Sequence, residues 1–402
     1  MKKLVLIGNG MAGVRTLEEL LKVAHEPFDI TVFGSEPYGN YNRIMLSPVL
    51  ADETSIDDIM INDIAWYKAN NIKLYTNRSI AQIDKLKRVV IDADGNLFNY
   101  DKLLIATGSK PFILPIEGND LEGVIGFRDI ADVEQMIDTA KRYKNAVVIG
   151  GGLLGLEAAN GLIKKGMHTT VVHLSEDLMN MQLDSTASQM LLLSLRKKGM
   201  QFKLKAQTQG LIAGNSGRVE KIEFSDGSTI DTDLVVMAVG IRPNIELAQK
   251  SGIHCEKGIV VNDAMQAFES SIYAVGECVQ HRDRCYGLVA PLFEQARVCA
   301  SHIAECNTAL YEGSITSTKL KVTGVDLFSA GNFKGSDTSE DLVFQDASRG
   351  VYKKIVVDSG KIVGSVLYGD TTEDGRVAGR ERVLDLVVGV TVKKKNIVNN
   401  RR

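Results

Sequence analysis

The sequence lacks the features of membrane proteins and nucleic-acid-binding proteins. No apolar run reaches the roughly 18–20 residues that a membrane-spanning helix needs, and the first residues have no signal-peptide layout. The formal net charge is only −3, so neither nucleic acid nor an anionic membrane is expected as a partner. These absences predict a cytoplasmic protein.

Cysteine is scarce, and its spacing excludes several kinds of chemistry. The five cysteines form no Cys-x-x-Cys pair; they are Cys255, Cys278, Cys285, Cys299 and Cys306. An odd number without short spacing favours free thiols in a reducing compartment. A metal site made from Cys278, His281 and Cys285 is the less favoured alternative, because this spacing does not match an iron–sulfur cluster. No metal is therefore predicted.

Glycine is plentiful, with 37 residues in a chain of 402, and two glycine-rich turns follow apolar strands. The flanking segments are Leu4–Ile7, Ala12 to about Val23 and Ile30–Phe33 in the first copy, and Ala146–Ile149, Leu156–Ile163 and Thr169–Val172 in the second. In each copy the periodicity predicts strand, helix and strand. The unit recurs about 142 residues later, which predicts two dinucleotide-binding domains.

The first turn fits the pattern G-x-G-x-x-G with Gly8, Gly10 and Gly13. The first glycine makes the tight turn, the second lets a pyrophosphate approach the backbone, and the third lets helix and strand pack closely. The phosphates then lie at the N-terminus of the helix. Glu36 follows the next strand and is suited to the hydroxyl groups of a ribose. An ordinary tight turn is the less favoured alternative.

Two further segments indicate that the first dinucleotide is FAD. The strand ending in Ala106-Thr107-Gly108 brings bare backbone close to a ligand. Gly276-Glu277 places a carboxylate directly after another strand, where it can hydrogen-bond a ribityl chain. As an alternative, Glu277 is a helix N-terminal acid that the helix dipole favours.

The second turn, with Gly150, Gly152 and Gly155, predicts a site for a nicotinamide dinucleotide. The acid expected after the following strand is absent, and His173 stands there. A carboxylate at this place favours NADH, whereas arginines favour the 2′-phosphate of NADPH. Because no arginine occurs between His173 and Gln182, NADH is the favoured donor. A surface histidine without a role is the alternative.

The motifs occur together in one order. They are the two glycine turns, Ala106-Thr107-Gly108, Gly240 with Pro243-Asn244, and Gly276-Glu277. With them the chain resembles the two-dinucleotide flavoprotein reductases of the pyridine nucleotide-disulfide oxidoreductase superfamily over residues 1 to about 310. Through Tyr41–Ser47, Tyr286–Pro291, Glu294-Gln295-Ala296 and Lys321–Gly331 it resembles most the N-terminal flavin portion of the assimilatory NAD(P)H-dependent nitrite reductase large subunits, and it is also similar to NADH–rubredoxin reductases.

The resemblance implies an α/β fold with two Rossmann-like dinucleotide-binding domains, for FAD and NAD, and a C-terminal α+β interface domain. The expected boundaries are 1–113 and 243–315 for the two parts of the FAD domain, 114–242 for the NAD(P) domain, and 316–402 for the interface domain and tail. Further strands are expected at Leu103–Ile105, Leu234–Val239, Ser271–Val275, Lys319–Val325, Tyr352–Val357 and Lys361–Tyr368, with antiparallel meanders near Ile80–Asp84, Arg88–Ala93 and Val219–Phe224. The last dozen residues are expected to be a solvated tail.

The resemblance also implies roles for individual residues. The expected FAD contacts are Gly8, Gly10, Ala12, Gly13, Ser35, Glu36, Arg43, Ser47, Ile80, Ala106, Thr107, Gly108, Gly276 and Glu277. The expected NAD(P)H contacts are Gly150, Gly152, Leu154, Gly155, Glu157, His173 and Gly240, with Glu157 near the nicotinamide.

The departures from the family refine the expected chemistry. Tyr38–Val49 contains no redox cysteine, and Pro48 stands where many ferredoxin reductases have lysine. We therefore expect hydride transfer from NAD(P)H to the flavin without a thiol relay. The electrons then pass to an iron–sulfur, rubredoxin-like or sirohaem acceptor, and a homodimer is possible. The chain alone is not expected to reduce nitrite. The alternatives are a stand-alone NADH–rubredoxin or ferredoxin reductase, an NADH-sensing flavoprotein that acts by changing shape, and a protein that has lost a cofactor.

Overall fold

The chain forms two compact units in a computed structural model that describes residues 1–306, 309–322 and 324–369. Unit 1 comprises Met1–Met45, Ser55–Pro111 and Gly240–Ser314. Unit 2 comprises Leu46–Thr54, Phe112–Val239 and the described residues from Ile315 onward.

Helices are distributed over both units. In the described residues the α-helices are α1 (Met11–Val23), α2 (Leu46–Leu50), α3 (Ile64–Ala69), α4 (Ile130–Arg142), α5 (Leu153–Lys164), α6 (Ser185–Lys197), α7 (Glu246–Lys250) and α8 (Val289–Ile303). Short 3₁₀ helices span Arg43–Met45 and Asp57–Ile59. None of the helices in this part of the chain is long and apolar enough to cross a membrane.

The strands of the described residues follow in chain order. They are β1 (Lys2–Ile7), β2 (Phe28–Phe33), β3 (Asn40–Tyr41), β4 (Met60–Asn62), β5 (Lys73–Tyr75), β6 (Ile80–Asp84), β7 (Val89–Asp92), β8 (Leu97–Asn99), β9 (Lys102–Ile105), β10 (Ser109–Pro111), β11 (Val124–Ile125), β12 (Asn145–Ile149), β13 (His168–His173), β14 (Gln201–Leu204), β15 (Thr208–Ala213), β16 (Val219–Phe224), β17 (Thr229–Asp231), β18 (Leu234–Met237), β19 (Ile241–Pro243), β20 (Ile259–Val261), β21 (Ile272–Ala274), β22 (Val279–His281), β23 (Ser317–Lys319), β24 (Leu327–Gly331), β25 (Glu340–Asp346), β26 (Val351–Asp358) and β27 (Lys361–Tyr368).

Unit 1 is built on a parallel sheet of order β21-β9-β1-β2-β5. Its central strands β1 and β9 end in buried apolar runs, as expected for a parallel sheet whose faces are covered by helices. Helix α1 buries one face through Val14, Leu17 and Leu20 and packs against α8. The meander β6-β7-β8 belongs to the same unit.

Unit 2 contains a second parallel sheet, of order β11-β18-β12-β13-β14, and an antiparallel sheet of order β23-β24-β27-β26-β25. Helix α5 packs on the parallel sheet at β12, β13 and β18. The antiparallel sheet is formed from residues after Thr316, and the meander β15-β16-β17 completes the unit.

The predicted internal repeat is confirmed in the hydrogen bonding of the two parallel sheets. Gly8 N–H donates to the carbonyl of Phe33 at 2.9 Å, and Gly150 N–H donates to that of Val172 at 2.8 Å. Each glycine therefore ends its first strand at the same point of the β-α-β unit.

The predicted fold class is confirmed, with one local error. The segment Lys319–Val325 was expected to be a strand, but β23 ends at Lys319 and the next strand begins at Leu327. The reason is a turn, in which Val325 N–H donates to the Val322 carbonyl at 2.9 Å and Gly324 has a φ of +77°. The predicted tail lies outside the described residues, and the three-domain boundaries stay a prediction.

Candidate dinucleotide sites

The first glycine turn is closed on one side by the strand beside it. Gly8 has a φ of +107°, and a Cβ there would lie 2.2 Å from the Ala106 carbonyl oxygen. A Cβ at Gly13 would lie 2.9 Å from the Gly8 carbonyl oxygen and 2.9 Å from Cβ of Ala106. Both positions need glycine so that α1 can pack against β1 and β9.

The second turn repeats this arrangement. Gly150 has a φ of +123°, and a Cβ there would lie 2.3 Å from the Ala238 carbonyl oxygen. A Cβ at Gly155 would lie 2.0 Å from the Gly150 carbonyl oxygen. The close approach of helix and strand is therefore the same in the two units, although their sequences differ.

The middle glycines differ from their neighbours because the space in front of them is open. A Cβ at Gly10 or at Gly152 would meet no atom within 4 Å. Both are N-cap residues, of α1 and α5, and neither receives a side-chain cap. Ala12 and Leu154 lie in the first turns of these helices. The open space and the uncapped N–H groups fit a pyrophosphate at each helix, so the residues present fit the two dinucleotides.

The carboxylate of Glu36 is held by two neighbours in unit 1. Tyr41 Oη donates to Glu36 Oε2 at 2.7 Å, and the Arg43 guanidinium pairs with Oε1. The guanidinium carbon also lies 4.8 Å from the centre of the Tyr41 ring. Ser35 is exposed beside it. The structure thus brings together Ser35, Glu36 and Arg43.

The other predicted FAD residues of unit 1 form a polar cluster after β9 and β21. Thr107 Oγ1 donates to the Asn244 carbonyl at 2.7 Å, and Ser109 Oγ donates to Glu277 Oε2 at 2.8 Å. Gly108 and Gly276 have φ values of +68° and +93°. Ile80 does not join this cluster; it is buried in the hydrophobic core.

His173 lies against the second glycine turn. Its Nδ1 accepts a hydrogen bond from Gly151 N–H at 3.2 Å, so the ring proton of a neutral imidazole is on Nε2. Nε2 is buried and has no partner among the described residues. Burial lowers the pKa of His173, and the Asp177 backbone opposes this shift. His173 therefore contacts the glycine turn, and its role in nucleotide binding stays a prediction.

Glu157 lies on α5, one turn after the glycines, and is only 5% exposed. Ser47 Oγ donates to its Oε2 at 2.6 Å, and the backbone N–H of Lys321 donates to its Oε1 at 2.9 Å. Burial raises the pKa of Glu157, while these hydrogen bonds and the charge of Lys321 lower it. Ser47, expected among the FAD contacts, thus belongs to unit 2 and binds Glu157. Gly240, expected in the nucleotide site, belongs to unit 1 and has a φ of +120°.

Three contributing residues were missed at the sequence level. Tyr67 Oη donates to Asn9 Oδ1 at 2.6 Å and so holds the residue between Gly8 and Gly10. The fully buried Gln295 accepts from Gly276 N–H at 3.0 Å. Lys321 contacts Glu157 across 164 positions of the chain. The motif segments around Gln295 and Lys321 were the available signal, whereas nothing local marked Tyr67.

The five cysteines are free thiols, as predicted. Burial raises the pKa of Cys278 and Cys299, which keeps these thiols protonated. No group of three or more histidine, cysteine, aspartate or glutamate side chains in the described residues is arranged to hold a metal. His281 instead lies 2.8 Å from a carboxylate oxygen of Asp263.

The sequence matches the family described as pyridine nucleotide-disulphide oxidoreductase over residues 2–313 and the rubredoxin NAD+ reductase C-terminal domain over residues 317–378. The chain belongs to the pyridine nucleotide-disulphide oxidoreductases and is an FAD-dependent NAD(P)H oxidoreductase.

Three similar proteins illustrate the match. The chain is 54% identical to a nitrite reductase [NAD(P)H] of Bacillus subtilis over 94% of its own length and 46% of the relative. It is 45% identical to the assimilatory nitrate reductase electron transfer subunit of the same organism, over 99% of the chain and 51% of the relative. The chain thus spans about half the length of these curated relatives. The NADH:rubredoxin oxidoreductase of Clostridium acetobutylicum has a similar structure, with a TM-score of 0.79 and 26% identity over 99% of this chain and 97% of that one.

Proposed function

We propose that this chain is the electron-input module of an assimilatory NAD(P)H-dependent nitrite reductase system. The observation that carries the proposal is the 54% identity to the Bacillus subtilis nitrite reductase over 94% of the chain. The pair of glycine turns with open middle positions supports it, because one chain then holds both dinucleotides.

FAD is assigned to the first turn. Gly8, Gly10 and Gly13 leave room for its pyrophosphate, and the N–H groups of α1 neutralise part of the phosphate charge. Glu36, fixed by Tyr41 and Arg43, offers acceptor oxygens for a ribose. Glu277 is assigned to the ribityl chain. FAD, when bound, accepts a hydride from the reduced nicotinamide and releases electrons to an acceptor.

NADH is assigned to the second turn. Gly150, Gly152 and Gly155 play the same part for its pyrophosphate as the glycines of the first turn. His173 lies against this turn, and burial lowers its pKa, so it brings no positive charge that would favour a 2′-phosphate. A 2′-phosphate is better held by arginine, and 173–182 contains none. NADH is therefore the proposed donor over NADPH.

The proposed acceptor is an iron–sulfur or rubredoxin-like protein or domain, or a sirohaem centre supplied outside this chain. The match to a rubredoxin reductase C-terminal domain and the similar NADH:rubredoxin oxidoreductase support an acceptor of the first two kinds. A homodimer is part of the proposal through the interface role of the C-terminal residues.

Steady-state oxidation of NADH tests the proposal with ferricyanide, rubredoxin and nitrite as separate acceptors. The proposed module oxidises NADH rapidly with ferricyanide and rubredoxin and leaves nitrite unchanged. Turnover with none of them, in a protein that holds FAD, contradicts the electron-input role. Slow turnover accompanied by an NADH-dependent change in hydrodynamic radius supports the sensing alternative instead.

A further inference from the structure

The carboxylate of Glu157 is fixed at both oxygens by residues from two other segments of unit 2. Ser47 precedes Glu157 by 110 positions and Lys321 follows it by 164. Ser47 is itself buried, at 4% exposure. A buried carboxylate held in this way has one orientation, and its charge must be compensated nearby.

Lys321, whose backbone N–H binds Glu157, also carries a positive charge. Burial raises the pKa of Glu157 and lowers that of Lys321. The opposite charge of each residue partly offsets this shift in the other, and the neighbouring Lys319 lowers the pKa of Lys321 further. Neither Ser47 nor Pro48 beside it carries a charge.

The other charged groups on the elements around α5 are engaged elsewhere. Lys164 pairs with Glu53 and Lys165 with Asp52, two turns further along the helix. On α4, Asp132 belongs to the capping box and Asp138 pairs with Lys141 and Arg142, while Glu134 is exposed. Strands β12 and β18 carry no ionisable side chain, and β13 carries only His168 and His173 at its two ends.

We infer that Lys321 is a positioning residue of the nicotinamide nucleotide site, whose backbone N–H orients Glu157 and whose ammonium offsets the charge of that carboxylate. An ionised carboxylate only accepts hydrogen bonds, so it suits the amide N–H donors of a nicotinamide. The segment that follows β23 thus contributes to nucleotide binding through Lys321. The inference rests on the proposed function in placing Glu157 at the nucleotide.

The experiment uses the holoenzyme and two readouts. The titration of Glu157 is followed by carbon-13 NMR of labelled glutamate, with its signal identified by its loss in Glu157→Gln. The affinity for NAD+, which needs no turnover, is measured by calorimetry across the same pH range. Lys321→Met removes the charge and keeps the backbone N–H, Lys321→Gln is the second charge-removing variant, and Lys321→Arg restores the charge. Lys319→Met is the matched control, since it removes an exposed lysine from the same segment.

Loss of the Lys321 charge moves both midpoints to higher pH, because an opposite charge near a buried carboxylate favours its ionised form. Lys321→Arg returns them, and Lys319→Met does not raise them. Unchanged Glu157 titration in Lys321→Met and Lys321→Gln overturns the inference. The titration of Glu157 can also shift while the affinity for NAD+ does not follow it. That result supports the interaction between Lys321 and Glu157 but overturns the placement of Glu157 at the nucleotide, and with it that part of the proposed function.

Discussion

A single added methyl group has different effects at the middle and the last glycine of the second turn. At Gly155 the new Cβ would lie 2.0 Å from the Gly150 carbonyl oxygen, about 1 Å closer than Cβ contacts are found in proteins. Helix and strand must then separate. Overpacking costs roughly 1–3 kcal/mol, here at the upper end because the clash is with backbone. The better helix propensity of alanine returns about 1 kcal/mol, so Gly155→Ala loses about 2 kcal/mol of stability.

Gly152→Ala is the matched variant. Its Cβ would meet nothing within 4 Å, and the φ of −86° is allowed for alanine. Alanine restricts the unfolded chain more than glycine does, which stabilises the folded state by about 0.4–1 kcal/mol. This gain offsets the loss caused by the weaker N-cap preference of alanine. Stability is therefore nearly unchanged. The methyl group occupies the space assigned to the pyrophosphate, however, so the affinity for NAD+ falls by about tenfold or more, or at least ~1.4 kcal/mol.

Thermal unfolding and calorimetric titration with NAD+ distinguish the two effects. Gly155→Ala lowers the melting temperature of the nucleotide-free protein, whereas Gly152→Ala keeps it and loses affinity. Wild-type NAD+ affinity in Gly152→Ala would refute the assignment of this turn to a pyrophosphate. An unchanged melting temperature in Gly155→Ala would refute the packing argument.

Three further predictions concern other residues. Gly13→Val abolishes FAD retention because its Cβ would lie 2.9 Å from the Gly8 carbonyl oxygen; a variant that is purified yellow with full flavin contradicts this. Burial raises the pKa of Glu157, so its contribution to stability is fully present below pH 4.5 and is lost as pH rises through the folded-state pKa. The melting temperature of the wild type should therefore fall across this pH range, and Glu157→Gln should not show that fall. The same pH dependence of the melting temperature in both proteins argues against this prediction. The flavin should still be reduced by NADH in Cys278→Ala and Cys299→Ala after alkylation of the accessible thiols, since no thiol relay is used. A variant that retains FAD but is not reduced by NADH excludes a mechanism that uses the flavin alone.

The parallel sheets were predictable because their determinants are local. An apolar strand, a glycine turn and a helical pattern lie within about 30 residues in each copy, and the tight approach at Gly8 and Gly150 follows from the turn itself. The error at Lys319–Val325 arose because alternating apolar residues predict a strand, while Gly324 permits a turn with positive φ.

The contacts of the candidate site were less predictable because they join distant segments. Glu157 was expected near the nicotinamide, but its partners Ser47 and Lys321 lie 110 and 164 positions away. The orientation of His173 toward Gly151 likewise depends on tertiary packing. No periodicity in a single sequence encodes such pairs.

Anaerobic titration of the purified chain with NADH, followed by visible absorbance and repeated with NADPH, tests the central claim most directly. We expect the flavin band near ~450 nm to bleach with about one equivalent of NADH, and more slowly with NADPH. A colourless protein that does not take up added FAD, or a yellow protein that neither nucleotide reduces, would contradict the account.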